Sequence, residues 1–164
     1  MKILLTSLLL LSASLSFAQI DSSFYRHYND SLRKATDEEF SDEDHSPLTS
    51  DDRKHFEGLA YFPINLDYVV SARFERTPDE VPFQMPTTTA RLPRYVKYGH
   101  LYFTLNGKEL RLSVYQNLDL IKKPEYVNYL FIPFNDSTNG FETYGGGRYL
   151  DIQGPLEDTV IIDF

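Results

Sequence analysis

KYGHLYFTLNGKELRLSVY, residues 97–115, decides the fold. Asn106-Gly107 separates two runs in which apolar and polar residues alternate. Asn-Gly is the favoured two-residue hairpin turn, because both central positions need a positive φ. The turn sets the register. Leu105 faces Lys108, Phe103 faces Leu110, Leu101 faces Leu112 and Gly99 faces Val114, which makes one continuous apolar face. The other face pairs Tyr102 with Arg111, His100 with Ser113 and Tyr98 with Tyr115. A slip of one residue would turn the apolar set outward, so the register is strongly specified. The second face is polar but aromatic, and reads either as solvated sheet or as the lining of a groove.

Further strands flank this hairpin. Residues 66–76 alternate, with Leu66, Tyr68, Val70, Ala72 and Phe74 on one face. Pro78, Pro82 and Pro86 then interrupt, leaving Val81 to Met85 as at most a short edge strand. Residues 127–134, VNYLFIPF, barely alternate, as expected of a strand covered on both sides. Arg148-Tyr149-Leu150 begins another strand, and Val160-Ile161-Ile162 another after the Gly154-Pro155 turn. This is a mainly β chain: an antiparallel sheet of about six or seven strands, folded as a roll, partial barrel or sandwich. No strand–helix alternation supports a doubly wound fold.

The N-terminal part reads differently. Met1-Lys2, the apolar run 3–11 and the small residues up to Ser16-Phe17-Ala18 form a secretory signal peptide over residues 1–18. The protein is therefore expected to be exported, to the periplasm or the extracellular space. Phe24, Tyr28, Leu32 and Ala35 fall at helical spacing and predict a helix over 22–40. Thr49 or Ser50 is placed to cap a second helix over 51–57. Residues 19–57 are thus expected to be a helical brace or lid packed on the β-rich part, residues 58–164.

Composition excludes several chemistries. There is no cysteine in 164 residues, so neither disulfides nor thiolate metal sites can form. Tyr 12 and Phe 12 against Trp 0 is an aromatic load suited to sheets. Removing the leader leaves 15 basic and 24 acidic side chains. No Lys/Arg stripe tracks a phosphate backbone, so nucleic acid is not an expected partner. No later run is long or apolar enough for a membrane span. No metal or cofactor is expected, and the oligomeric state is open.

The chemistry gathers in FIPFNDSTNGFETYGGGRYLD, residues 131–151. Asp136 sits just past a strand and is placed to close an Asx turn by accepting N–H groups of residues 138 and 139. Glu142 lies among Phe141, Thr143 and Tyr144, and Arg148 is its expected partner across the glycines. Gly145, Gly146 and Gly147 make either a tight bend or an N–H nest for an anion. Neither a phosphate loop nor a dinucleotide fingerprint is present.

These blocks, with GLAYFPIN at 58–65 and the hairpin centre, resemble DUF1684, a bacterial family of unknown function. The resemblance covers most of residues 46–164. It places the family's recurring positions at Asp136, Thr138, Glu142, Thr143, Tyr144, Gly147, Arg148 and Tyr149, and implies no reaction or cofactor. The family's pattern continues past the point where Phe164 ends this sequence, so a truncated C-terminus is expected.

Three readings follow. In the first, the domain binds a small polar or anionic ligand: Arg148 and the bend at Gly146 hold it, with Thr143, and Tyr144, Tyr149 and Tyr102 wall it. In the second, a hydrolase uses Glu142 or Asp136 as general base and Arg148 as electrostatic stabiliser. In the third, the chain is a structural or interaction protein of the envelope.

Overall fold

The computed structural model describes residues 22–164, so the expected leader lies outside the described residues. The chain divides into two units between Ile64 and Asn65.

The first unit holds helices α1 (Ser22–Ser41) and α2 (Ser50–Lys54). Thr49 caps α2: its hydroxyl accepts the Asp52 N–H at 3.2 Å and donates to the Asp52 carboxylate at 2.6 Å. The helix stops at Lys54, earlier than the spacing predicts. The stripe expected to be buried on α1 is largely exposed: Phe24 is 69% accessible, Tyr28 51% and Leu32 47%. The returning segment 59–64 packs on a polar stripe instead. Asp37 accepts the Leu59 N–H at 3.0 Å, and Arg33 stacks on the Tyr61 ring at 4.9 Å while donating to the Phe62 carbonyl. Arg26 reaches the Ile64 carbonyl. Residues 26, 33 and 37 share one side of a helix, and hydrogen bonding chose that side over the apolar one. GLAYFPIN therefore closes the helical unit, up to Ile64, rather than opening the sheet. Among the described residues no helix is long and apolar enough to cross a membrane.

The second unit is a curled, half-barrel antiparallel sheet. Its strands are β1 (Val69–Arg76), β2 (Phe83–Gln84), β3 (Arg94–Leu105), β4 (Lys108–Asn117), β5 (Tyr129–Phe134), β6 (Arg148–Gln153) and β7 (Thr159–Asp163). Their order is β6-β5-β4-β3-β1-β7, with the short β2 on β3. The hairpin register follows the sequence reading from Leu105–Lys108 through to Gly99–Val114. Asn106 and Gly107 both carry positive φ, 51° and 73°, as that turn demands.

The register departs from expectation at Tyr98. A bulge between Lys97 and Gly99 sets Lys97, not Tyr98, opposite Tyr115. A bulge inserts one extra residue and reverses which side later residues face. Tyr98 consequently packs against the core with Phe74, ring centres 5.8 Å apart. Tyr95 and Lys97 join the opposite face. The core, Ala72, Leu101, Phe103, Val114, Leu130, Ile132 and Ile162, comes from β1, β3, β4, β5 and β7.

Gly99 is where β3 comes closest to β1. A Cβ there would overlap the Glu75 carbonyl oxygen and the Phe74 ring. Gly99→Ala is expected to cost about 1–3 kcal/mol, the usual penalty for overpacking a rigid site. Thermal unfolding followed by circular dichroism reads this as a clear drop in Tm, whereas Gly107→Asn, at a positive φ that asparagine tolerates better than other side chains, should lower Tm less.

Candidate functional site

β5 leaves the sheet at Phe134 and β6 returns at Arg148, which pairs with Phe134. The thirteen residues between are held by their own polar groups. Asp136 Oδ1 accepts from the Thr138 N–H at 2.8 Å and the Thr138 hydroxyl at 2.5 Å, which makes the expected Asx turn at residue 138, while the Asn139 N–H goes to the Asp136 backbone carbonyl instead of the carboxylate. With that proton spent, the Thr143 hydroxyl donates to Thr138 Oγ1 at 2.9 Å. The Thr138 carbonyl accepts from the N–H groups of Phe141, Glu142 and Thr143. Asn139 binds twice: Oδ1 takes the Asp136 N–H, and the amide nitrogen donates to the Tyr144 carbonyl at 2.9 Å.

Arg148 donates to Asp136 Oδ2 and lies 4.9 Å over the Phe134 ring. Its Nε is buried without a protein acceptor among the described residues. The expected Glu142–Arg148 pair does not form. Glu142 is exposed, and among the described residues its carboxylate has no hydrogen-bond or ion-pair partner. Strand pairing explains the difference: Arg148 is registered opposite Phe134, two residues before Asp136, while Glu142 sits at the far end of the loop. The Thr138 hydroxyl, then its N–H, then Arg148 hold the Asp136 carboxyl below the usual carboxylate range.

The glycines serve the fold of this loop. Gly147 has φ +102°, and a Cβ there would overlap the Asn135 side chain. Gly146 lies under the Tyr144 ring, which a Cβ would also overlap. The Gly147 N–H is bonded to the Tyr144 carbonyl, so it does not join a converging anion nest. Phe141 is 91% exposed and Tyr144 66%.

The remaining expected residues lie elsewhere. Tyr149 follows Arg148 in β6, so alternation sends the two side chains to opposite faces. Tyr149 meets Phe131, ring centres 5.3 Å apart, on the face away from the core. Tyr102 lies on β3, where Arg73 stands 4.5 Å from its ring centre and His100 meets its ring edge-on. Thr143 is consumed by Thr138. Asp136, Thr138, Thr143 and Arg148 are thus brought together, while Glu142 and Tyr144 point outward with Phe141.

Two groupings were not singled out from the sequence. On the face away from the core, Tyr95–Phe131 and Phe83–Tyr115 ring pairs join Tyr149, with Tyr129 donating to Asp151 at 2.5 Å. Burial, then Asp151, raises the Tyr129 phenol above its ordinary value. His100 Nδ1 lies 3.3 Å from Ser113 Oγ, and burial, then Arg111 and Lys97, hold the imidazole below its ordinary value. The second grouping was within reach, since the hairpin register already sets His100 opposite Ser113. Among the described residues no three His, Asp or Glu side chains meet as a metal set.

A family model described as "Protein of unknown function (DUF1684)" matches residues 54–164. Among solved structures, the chain is similar to an uncharacterized protein of Haloarcula marismortui studied by solution NMR. The identity is 28%, the match covers 87% of this chain and 77% of that one, and the TM-score is 0.61. Comparison with the curated proteins finds no match.

Asp136 ties acid stability to this loop. Its folded carboxyl is depressed, so its contribution is present above the unfolded value and is lost as pH falls through the folded one. Asp136→Asn is expected to lower stability at neutral pH by about 1 kcal/mol, a modest figure suited to a carboxylate open to solvent. The variant's stability should also fall less than the wild type's below the ordinary carboxylate range. Urea titrations across that range measure both effects.

Proposed function

The chain belongs to the DUF1684 family of proteins of unknown function, and from that premise we propose that it is an exported binding module. Its 136–149 loop is a preformed recognition surface for a partner or small molecule that offers a cation. The observation that carries this reading is the division of labour in the loop. Asp136, Thr138, Asn139, Thr143 and Arg148 are spent on one another and on the loop backbone, while the side chains of Phe141, Glu142 and Tyr144 are exposed and meet no polar side chain among the described residues. A rigid loop loses little entropy when it binds. A carboxylate with exposed aromatic residues on either side in the sequence, Phe141 and Tyr144, suits an ammonium or guanidinium group, through ion pairing and ring-face attraction. The net charge of −8 favours the same sign of partner.

The anionic alternative is weaker on chemistry. Arg148 is the cation it needs, and Asp136 already neutralises it. The acid–base alternative loses Asp136, which already accepts from Thr138 and Arg148, and with Glu142 as base it lacks its stabiliser, because Arg148 is paired with Asp136. Export is supported by the composition of residues 1–18.

Two measurements test this reading. In NMR titrations, spermidine and N-acetyl-arginine amide should shift the amides of residues 138–147. Glu142→Gln should weaken that binding roughly tenfold, as loss of one charge-assisted hydrogen bond does. A response to inorganic phosphate alone, lost in Arg148→Ala, would reinstate the anionic alternative. For export, the intact mass of protein recovered outside the cytoplasm should begin at Gln19; recovery of the uncleaved chain from the cytoplasm overturns it.

A further inference from the structure

The side of the sheet away from the core is divided into two halves of different chemistry. Residues directly opposite one another across a strand pair share a side. Tyr115 is opposite Lys97 on β3 and Phe131 on β5, and Phe131 is opposite Asp151 on β6. Phe83 on β2 is opposite Tyr95, and Tyr129 on β5 is opposite Gln153. These positions alternate with the core residues Val114, Leu130 and Ile132, which places them outside. Rings gather in this half, while Arg73, Glu75, His100 and Arg111 occupy the other.

The aromatic half is continuous across the strands. Ring centres of Tyr95 and Phe131 lie 5.8 Å apart, those of Phe131 and Tyr149 5.3 Å, and those of Phe83 and Tyr115 5.7 Å. Tyr149 is 60% exposed and Phe83 39%. Hydrogen-bonding groups sit beside the rings. Asp151 accepts from the Tyr129 hydroxyl through Oδ1, among the described residues its Oδ2 has no partner, and Gln153 is exposed on the same strand.

Shape and charge narrow the occupant. The sheet curls around its core, so this side is convex and encloses no small molecule. Lys97 is paired with Glu80 at 2.8 Å, which leaves Asp151 as the one uncompensated charge among the strand positions of the aromatic half. An anionic lipid or phosphate chain finds no free cation there. A basic partner finds more acid elsewhere on a chain of net charge −8. A neutral, extended ligand matches on every count: it needs apolar faces for the rings and hydroxyls for the carboxylate and the amide.

We infer that the aromatic half of the outer sheet face is a binding platform for a neutral glycan chain, of the equatorially linked glucan type whose sugars present flat C–H faces. Tyr149 on β6 and Phe83 on β2 are its exposed stacking rings, backed by Phe131 and Tyr115. Asp151 and Gln153 bond sugar hydroxyls beside Tyr149. Four strand steps separate β2 from β6, up to roughly 19 Å along the face. A chain long enough to reach both rings therefore binds more tightly than a short one. Alternation turns Tyr149 away from Arg148, so the platform uses none of the polar groups of the 136–149 loop.

NMR titration of the isotope-labelled protein with cellohexaose tests this. Amides of residues 129–131 and 149–153 should shift, and cellobiose should act more weakly. Tyr149→Ala should weaken cellohexaose binding about tenfold, as loss of one aromatic contact and its buried area does. Its melting temperature should stay nearly unchanged, because the ring is mostly in solvent. Asp151→Asn should weaken binding several-fold, and Tyr144→Ala in the 136–149 loop should not alter it. No shift at millimolar cellohexaose overturns the inference. So does binding that survives both Tyr149→Ala and Asp151→Asn, a shift confined to residues 138–147, or a response of this face to polyphosphate in place of the glycan.

Discussion

Phe164 is the clasp on which the sheet's shape depends. Its ring lies 5.4 Å from Phe103 and 5.2 Å from Phe134. Phe164 follows β7 at one edge, and Phe134 ends β5, four strands away in the sheet order. Four strand spacings span roughly 19 Å in a flat sheet, farther than two phenyl rings can bridge. The contact therefore requires the sheet to curl, bringing its two flanks over a shared interior. Curling lets strands from both flanks bury Leu101, Val114, Leu130 and Ile132 completely without a second sheet. Aromatic pairs of this kind add about 0.5–1.5 kcal/mol beyond the area they bury. The apolar face follows first from strand alternation; the clasp then fixes how far that face closes.

Closure has a consequence for the site. Once one face is interior, every strand residue is committed to one side. Arg148 shares the side of Leu150 and Ile152, and so emerges at the mouth of the curl over Phe134. Tyr149 is committed to the other side, among Phe131 and Tyr95. No arrangement of the loop can reunite adjacent strand residues in one pocket. The loop can only choose a partner for Arg148 on its own side, and Asp136 is the carboxylate that the chain delivers there.

Much of this was legible in the sequence because it rests on short-range rules. Asn106-Gly107 dictated a turn, and the turn dictated the pairing of His100 with Ser113 and of Leu101 with Leu112. Asp136 and Thr138 formed their Asx turn for equally local reasons. The failures involve choices between near-equal local options. Gly99 inside the alternating run is the local sign of a bulge that went unread, and the bulge decides whether Tyr98 faces the core. Gly99 is its accomplice, since only a residue without a side chain lets β3 press against Glu75 at that point. On α1 the apolar stripe of Phe24, Tyr28 and Leu32 matched helical spacing, but the returning segment docked where Arg33 and Asp37 could satisfy its backbone groups. Distance along the chain misjudged Arg148 as well. Glu142 is nearer in sequence than Asp136, but β5–β6 pairing brings the ends of the loop together and leaves its middle outside.

That last point explains how closing a loop can by itself gather the groups that make it look like a site. A long connection between two paired strands must find partners for its backbone groups, and here Thr138 alone accepts three N–H donors. The hydroxyls, amide and ion pair that suggest chemistry are the means by which this chain closes a thirteen-residue excursion. What closure does not explain is Glu142. A residue with only a structural role at an exposed apex has no need of a carboxylate, and Phe141 has no need of a ring that is almost wholly in water. Exposing large apolar surface carries a solubility cost. Their placement at the apex of a loop held by its own hydrogen bonds is the feature that an account of closure alone leaves over, and it is the feature on which the proposed recognition role rests.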